Sequence, residues 1–155
     1  MVGHLLSNRC ENIFGQSPSY LIGCAMKPQA LIIEDDKNMA NAFAEAVALA
    51  GYGVQVANDG LVALSMVRSQ SFHFVLLDLH LPGMTGEHIL EKIREMPHMA
   101  GANVVLATAD DRKAEELQGT ADLVFLKPVG FTQLRDIAKR MFALIDNEGD
   151  GAESL

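Results

Sequence analysis

Four places in this 155-residue chain put chemically capable side chains directly behind short apolar runs. Glu34, Asp35 and Asp36 follow Ala30-Leu31-Ile32-Ile33, and Asp78 follows Val75-Leu76-Leu77. Thr108 and Ala109 follow the run from Asn103 to Ala107, and Lys127 and Pro128 follow Leu123 to Leu126. Each has an ordinary structural reading. Asp35 or Asp36 can cap a helix, Thr108 can do the same, and a lysine before a proline is usually an exposed loop residue. Asp78 resists that treatment, because a lone carboxylate at the end of a buried run is unfavourable without a partner.

The residue types point to phosphoryl chemistry. Glu34, Asp35 and Asp78 would repel one another at close range if all were ionised. A hard divalent cation such as Mg²⁺ or Mn²⁺ relieves that repulsion, taking oxygen ligands from a few carboxylates and from phosphate. Lys127 adds a positive charge able to pair with Asp78 or with a phosphoryl oxygen. Thr108 can donate a hydrogen bond to another such oxygen. Asp78 is then the candidate nucleophile, since carboxylates form aspartyl-phosphate intermediates. Catalysis in such a site is positioning and charge neutralisation.

Those residues need a scaffold that brings them together. Ala30 to Ile33 is a continuous apolar run, as expected of a strand buried on both faces. A helix follows with Met39, Phe43, Val47 and Ala50 on one stripe, ending at Gly51. Gly53 to Ala57 reads as a second strand, and Asn58-Asp59-Gly60 opens a helix carrying Leu61, Leu64 and Met66 or Val67. Phe72 to Leu77 is a third strand, and Ile89, Leu90, Ile93 and Met96 mark a helix running to Pro97. Asn103 to Ala107 is the fourth strand, followed by a polar helix from about Asp110 to Gln118. Leu123 to Leu126 is the fifth, and Leu134, Ile137, Met141, Leu144 and Ile145 line the last helix. Strands alternating with helices predict an α/β fold, a doubly wound parallel sheet with helices on both faces. Ligands of such sheets bind beyond the carboxyl ends of the strands, where all four groups of candidate residues fall.

Composition narrows the classes. A hydrophobic content of 49% with 21% charged residues argues against global disorder. No run approaches the ~20 apolar residues of a membrane span. The net charge of −8, with no cluster of Lys and Arg, argues against direct binding of nucleic acid. Cys10 and Cys24 form no disulfide framework and have no zinc-ligand spacing. Leu21-Ile22-Gly23-Cys24 resembles a lipoprotein cleavage box, but the mostly polar residues from Asn12 to Tyr20 lack the apolar stretch of a signal. A cytoplasmic location is expected.

In the joint pattern, Ile33-Glu34-Asp35-Asp36, Leu77-Asp78-Leu79-His80-Leu81-Pro82-Gly83, Ala107-Thr108-Ala109 and Leu126-Lys127-Pro128 resemble the receiver domains of bacterial two-component response regulators. The resemblance covers residues 29–145 and implies the strand order 2-1-3-4-5. It implies that Asp78 accepts a phosphoryl group from a sensor histidine kinase or a histidine phosphotransfer protein. Asp35 would bind Mg²⁺ directly, Glu34 through water, and His80 through its backbone carbonyl. Thr108 would move toward the phosphoryl group, Ala109 would keep the site open, and Lys127 would hold a phosphoryl oxygen before a cis peptide to Pro128. His80 and Asp110 fall where the family tunes the lifetime of the phosphorylated state. A homodimer through the face of helix four, strand five and helix five is a further expectation.

One position departs from the family. Receivers commonly carry Tyr or Phe three residues before the lysine, where this chain has Val124; the aromatic is Phe125, expected on the other sheet face. Valine cannot swing as an aromatic lever, so the route from the acceptor to a partner is open. Two other functions fit parts of the pattern. A Mg²⁺-dependent phosphohydrolase with an aspartyl nucleophile needs an acid two residues on, where His80 stands. A flavodoxin-like cofactor binder needs a Gly-rich phosphate loop in place of Glu34-Asp35-Asp36. With about ten residues after the last helix, output through a protein partner is expected, although the receiver piece of a larger regulator or hybrid kinase also fits.

Outside the receiver-like part, residues 1–28 form an extension without sustained periodicity. Met26-Lys27-Pro28-Gln29 reads as a natural start, making residues 1–25 either upstream sequence or a functional arm. Residues 146–155 are acidic and Gly-containing, which predicts a disordered tail. Limited proteolysis is expected to trim residues 1–25 and leave the core folded, as judged by circular dichroism of the trimmed product; loss of the core would refute this boundary.

Overall fold

The computed structural model describes residues 26–149, so the expectations for residues 1–25 and 150–155 lie outside the described residues. Five strands carry the frame: β1 (Gln29–Ile33), β2 (Gly53–Ala57), β3 (Phe74–Asp78), β4 (Asn103–Thr108) and β5 (Leu123–Leu126). The helices between and after them are α1 (Lys37–Leu49), α2 (Gly60–Ser69), α3 (Gly86–Glu95), α4 (Asp111–Glu116) and α5 (Phe131–Gly149). All strand pairs are parallel, in the order β2-β1-β3-β4-β5. The expected strand order and fold class are both present.

The sheet is buried on both faces, and the period of two in its strands builds two cores at once. Leu31, Ile33, Val75, Leu77, Val104 and Leu106 face α2 and α3. Ala30, Ile32, Phe74, Leu76, Val105 and Ala107 face α1 and α5. Helix starts are set by side-chain caps: Asp36 accepts from Met39 N at 2.9 Å, Asp59 from Val62 N at 2.8 Å, and Thr85 from His88 N at 3.4 Å. Pro97, which cannot continue a helix, marks the short 3₁₀ turn Pro97–Met99 behind α3.

Three predicted core positions are corrected. Met39, Leu61 and Leu144 lie in exposed positions, Leu61 with 70% of its surface accessible. The buried stripe of α1 is Ala40, Phe43, Ala46 and Val47, and that of α2 is Gly60, Ala63, Leu64 and Val67. In α5 Leu134 and Ala138 are fully buried. Alanines share these buried stripes with Phe43, Val47, Leu64, Val67 and Leu134 and let the helices approach the sheet, while Met39, Leu61 and Leu144 are turned outward. Element ends also shift. β3 begins at Phe74, leaving Phe72 in the preceding loop, and α4 spans only Asp111–Glu116. α5 continues to Gly149, four residues past the boundary at 145.

The lower end of the α1–α5 core closes on an aromatic cluster. Tyr52 meets Phe74 at 5.5 Å and Phe142 edge-on at 5.2 Å between centroids. Gly51 makes this approach possible: it sits at φ +114°, and a Cβ there would fall 2.9 Å from the Phe142 ring. The Tyr52 hydroxyl is buried with no hydrogen-bond partner among the described residues, and burial pushes its pKa upward. An unpaired buried hydroxyl costs about 1–3 kcal/mol. Tyr52→Phe is therefore expected to raise unfolding stability by about 1 kcal/mol, read by urea denaturation; a loss of stability would show that the hydroxyl has a partner.

Candidate functional site

The parallel register decides which residues meet at the carboxyl rim. Ile33 pairs with Leu77, so Glu34 and Asp78 emerge side by side from the two central strands. Asp78 pairs with Ala107, which sets Thr108 next to it, and Thr108 pairs with Leu126, directly before Lys127. The Lys127 backbone N–H donates to the Thr108 carbonyl at 2.8 Å, extending the ladder by one step. From that anchor the long lysine stem crosses the ends of β4 and β3. Its ammonium lies 3.0 Å from Glu34 Oε2 and 3.1 Å from Asp78 Oδ2.

This ion pair is deep. Glu34 and Asp78 retain 2% and 4% of their surface, Thr108 none, and the lysine side chain 19%. Burial pushes the Glu34 carboxyl above its ordinary value, the Lys127 hydrogen bond opposes this, and the Asp78 charge adds to the rise. Lys127 is held above the ordinary lysine value: burial disfavours its charge, and the bonds to Glu34 and Asp78 outweigh that cost. The lysine stays charged.

Around the pair, backbone groups hold the carboxylates in place. Asp36 N–H donates to Glu34 Oε1 at 3.2 Å and His80 N–H to Asp78 Oδ1 at 3.0 Å. Asp35 is exposed at the same rim, and single carboxylate oxygens of Glu34, Asp35 and Asp78 all lie within 4.8 Å of one another. Three carboxylates against one ammonium leave a formal excess of two negative charges. All-oxygen donors with that excess fit one hard divalent cation.

The remaining predicted residues fall close by. Thr108 Oγ1 accepts from Asp110 N–H at 3.0 Å, and Asp110 in turn caps α4. The His80 side chain is exposed and lines an open depression of about 480 Å³ with Ala109, Asp110, Asp111 and Arg112. The Lys127–Pro128 peptide is cis, as the resemblance implied. Val124 is half-buried among the residues facing α2 and α3, and Phe125 is buried on the opposite face with Leu134 and Ala138. The ring therefore lies on the α1–α5 side of the sheet, away from where an aromatic lever would act.

Three contributors escaped the sequence reading. Asn58 Nδ2 donates to the Glu34 carbonyl at 3.1 Å, bracing the loop after β1. Gly86 starts α3 against the loop after β3, where a Cβ would meet the Asp78 carbonyl at 2.7 Å and Leu79 Cα at 2.6 Å. Glu87 pairs with Lys113 across the gap between α3 and α4. Two of them join segments 24 and 26 residues apart, and Gly86 meets a loop seven to eight residues before it. The glycine alone carried a signal, since glycine at a helix start can mark close backbone approach.

The arrangement, an acid cluster and a lysine at the rim of a 2-1-3-4-5 sheet, defines a receiver-type fold and site. The response regulator receiver domain model matches residues 30–139. The chain is similar to the response regulator protein FleR of Pseudomonas aeruginosa, 30% identical over 134 residues, covering 84% of this chain and 28% of that protein. It is 30% identical over 123 residues to the sensory transduction protein RegX3 of Mycobacterium tuberculosis, covering 77% of this chain and 52% of that protein. Among solved structures, the response regulator TrrA of Thermotoga maritima, in complex with Mg²⁺ and BeF, superposes with a TM-score of 0.65 at 26% identity, over 74% of this chain and 98% of that one. A receiver domain from Methylobacillus flagellatus, at 24% identity and TM-score 0.67, over 74% and 98% of the two chains, shares the fold. The chain belongs to the response regulator receiver domain family of two-component systems. It spans 28% to 55% of the length of the first curated relatives it matches.

The raised Glu34 carboxyl has a consequence for stability. Between its ordinary value of 4.5 and the higher folded value, the folded chain keeps a proton that the unfolded chain has released. Stability therefore falls as pH rises through that window and is level above it. Glu34→Gln is expected to remove this component of the fall in a chelator-containing buffer. Urea midpoints from pH 4.5 toward neutrality test it; an equally steep fall in the variant would assign the effect elsewhere.

Proposed function

We propose that the chain accepts a phosphoryl group on Asp78 and signals by the change this makes to its surface. The observation that carries the reading is the buried Lys127 ammonium between Asp78 and Glu34, with Asp35 beside them. The donor would be the phosphohistidine of a sensor kinase or phosphotransfer protein, or a small acyl phosphate. A carboxylate oxygen of Asp78 attacks phosphorus, a new O–P bond forms, and the bond to the donor breaks. The donor departs with the bonding electron pair, as a neutral imidazole whose other ring nitrogen carries the proton or as the carboxylate of the acyl phosphate.

Side chains of this chain supply the positioning. Lys127, placed to follow the charge, exchanges part of its contact with Asp78 for a phosphoryl oxygen. The Thr108 hydroxyl donates to a second oxygen, and the exposed Ala109 leaves the approach open. Asp35 and Asp78, with Glu34 through water and the His80 backbone carbonyl, are the groups that would hold Mg²⁺ or Mn²⁺. Bound there, the cation would neutralise charge on the phosphoryl oxygens. A relative of 26% identity solved with Mg²⁺ and BeF lends support to that assignment. The phosphoryl group adds about −1.5 to −2 charge at the rim, enough to bias a two-state surface toward a protein partner. A cytoplasmic location and a dimer through α4, β5 and α5 fit the same reading. Among the described residues no helix is long and apolar enough to cross a membrane.

Incubation with acetyl phosphate and Mg²⁺ is expected to add a single phosphoryl group, seen by intact mass, and chelator is expected to prevent it. Asp78→Asn should show no adduct, and Lys127→Ala should be labelled about 100-fold more slowly. An adduct on Asp78→Asn, or none on the wild type, would refute the assignment; steady release of phosphate from many equivalents would instead indicate a hydrolase.

A further inference from the structure

Helix α4 is the least anchored element beside the site. Its six residues bury only the Ala114 side chain, with Leu117 half-buried behind it. A helix this short does not persist on its own propensity, so tertiary contacts and caps must hold it. At its start, Asp110 Oδ1 accepts from Arg112 N at 3.0 Å and Lys113 N at 3.3 Å, and Asp110 N–H donates to Thr108 Oγ1. One turn in, the Lys113 ammonium bonds Glu87 Oε1 on α3. Beyond its end, Arg94 on α3 binds the Thr120 carbonyl at 3.3 Å and Asp122 Oδ2 at 3.0 Å. α4 is thus tied to α3 by Lys113, the loop behind it is tied to α3 by Arg94, and its N-terminal cap leads back to Thr108.

Glu87 does not share that looseness. It follows Gly86, whose N–H donates to the Leu79 carbonyl at 3.2 Å and whose Cα sits against the acceptor loop. Its second oxygen, Oε2, is buried without a hydrogen-bond partner among the described residues, so Lys113 is the group that offsets this carboxylate. Burial alone would raise the Glu87 carboxyl, and the Lys113 bond outweighs it and holds it below the ordinary range.

We propose that the Lys113–Glu87 ion pair is a latch that holds α4 in its unphosphorylated position and takes over the coupling that an aromatic at Val124 would otherwise provide. The proposal rests on the phosphoacceptor reading of Asp78. When the Thr108 hydroxyl turns to a phosphoryl oxygen, its Oγ1 is drawn away from the Asp110 N–H. The loop and the cap move together, and Lys113, three residues on, is carried away from a Glu87 that cannot follow. α4 then pivots about the Arg94 anchor, opening the face that includes half-buried Val124 and exposed Leu126. Glu87 and Lys113 are positioning residues with no contact to the phosphoryl group.

Hydrogen exchange of the full chain, with and without Mg²⁺ and beryllofluoride, tests the latch, with acetyl-phosphate labelling followed in parallel by intact mass. In the wild type, beryllofluoride is expected to speed exchange of amides 112–117 about two- to fivefold, the range one half-exposed ion pair can supply. Lys113→Met should show that faster exchange before any addition and little further change. Lys113→Arg and the double exchange Glu87→Lys/Lys113→Glu should restore wild-type behaviour, which a merely structural role for the lysine stem would not predict. Labelling should proceed in all of them. A wild type that is labelled while α4 exchange stays the same would overturn the latch alone, as would a Lys113→Met variant with wild-type exchange. A wild type that takes no label would overturn the acceptor reading and the latch with it.

Discussion

The ammonium of Lys127 lies between two carboxylates that have almost no access to water, and most of the molecule is arranged to make that possible. Without it, Glu34 and Asp78 would be two buried like charges on neighbouring strands; removing one partner of a buried pair costs about 3–5 kcal/mol. The lysine reaches them because β5 ends level with β4 and its backbone continues the ladder to the Thr108 carbonyl. The carboxylates meet because β1 and β3 are adjacent and in register. Even so the charges do not balance. The remaining negative excess is what a hard divalent cation would offset.

Rigidity and looseness are unevenly shared around this pair. α3 is pressed onto the loop after Asp78 through Gly86, with backbone atoms where a side chain would otherwise be. On the other side of the site, α4 is a short helix held by a cap and by one ion pair. A phosphoryl group arriving between them would find one wall fixed and the other free to respond. Val124 fits this division: a half-buried valine fills space on the α3 face without offering a rotamer change large enough to carry a signal.

The site was largely legible in the order of residues. Acids, a hydroxyl and a lysine stand directly behind buried runs, and in a parallel sheet those positions share one rim. Core positions were less so: Met39, Leu61 and Leu144 look like core by size and lie outside, because Ala40, Ala63 and Ala138 let their helices sit closer to the sheet. The length of α4 was overestimated for a related reason. Polar helix-forming residues continue past Glu116, but the chain must turn at Gly119, where φ is positive, to enter β5.

What the sequence determined by itself is the set of groups at the carboxyl rim of the sheet and the class of chemistry they allow, because strand periodicity and side-chain type are local properties. The ion pair of Lys127 with Glu34 joins residues 93 positions apart, and only the tertiary structure decided it. The same holds for Asn58 on the Glu34 carbonyl, Gly86 against Asp78, and Glu87 with Lys113. These are distances set by register and helix packing, and of them only the glycine leaves a mark in the local sequence.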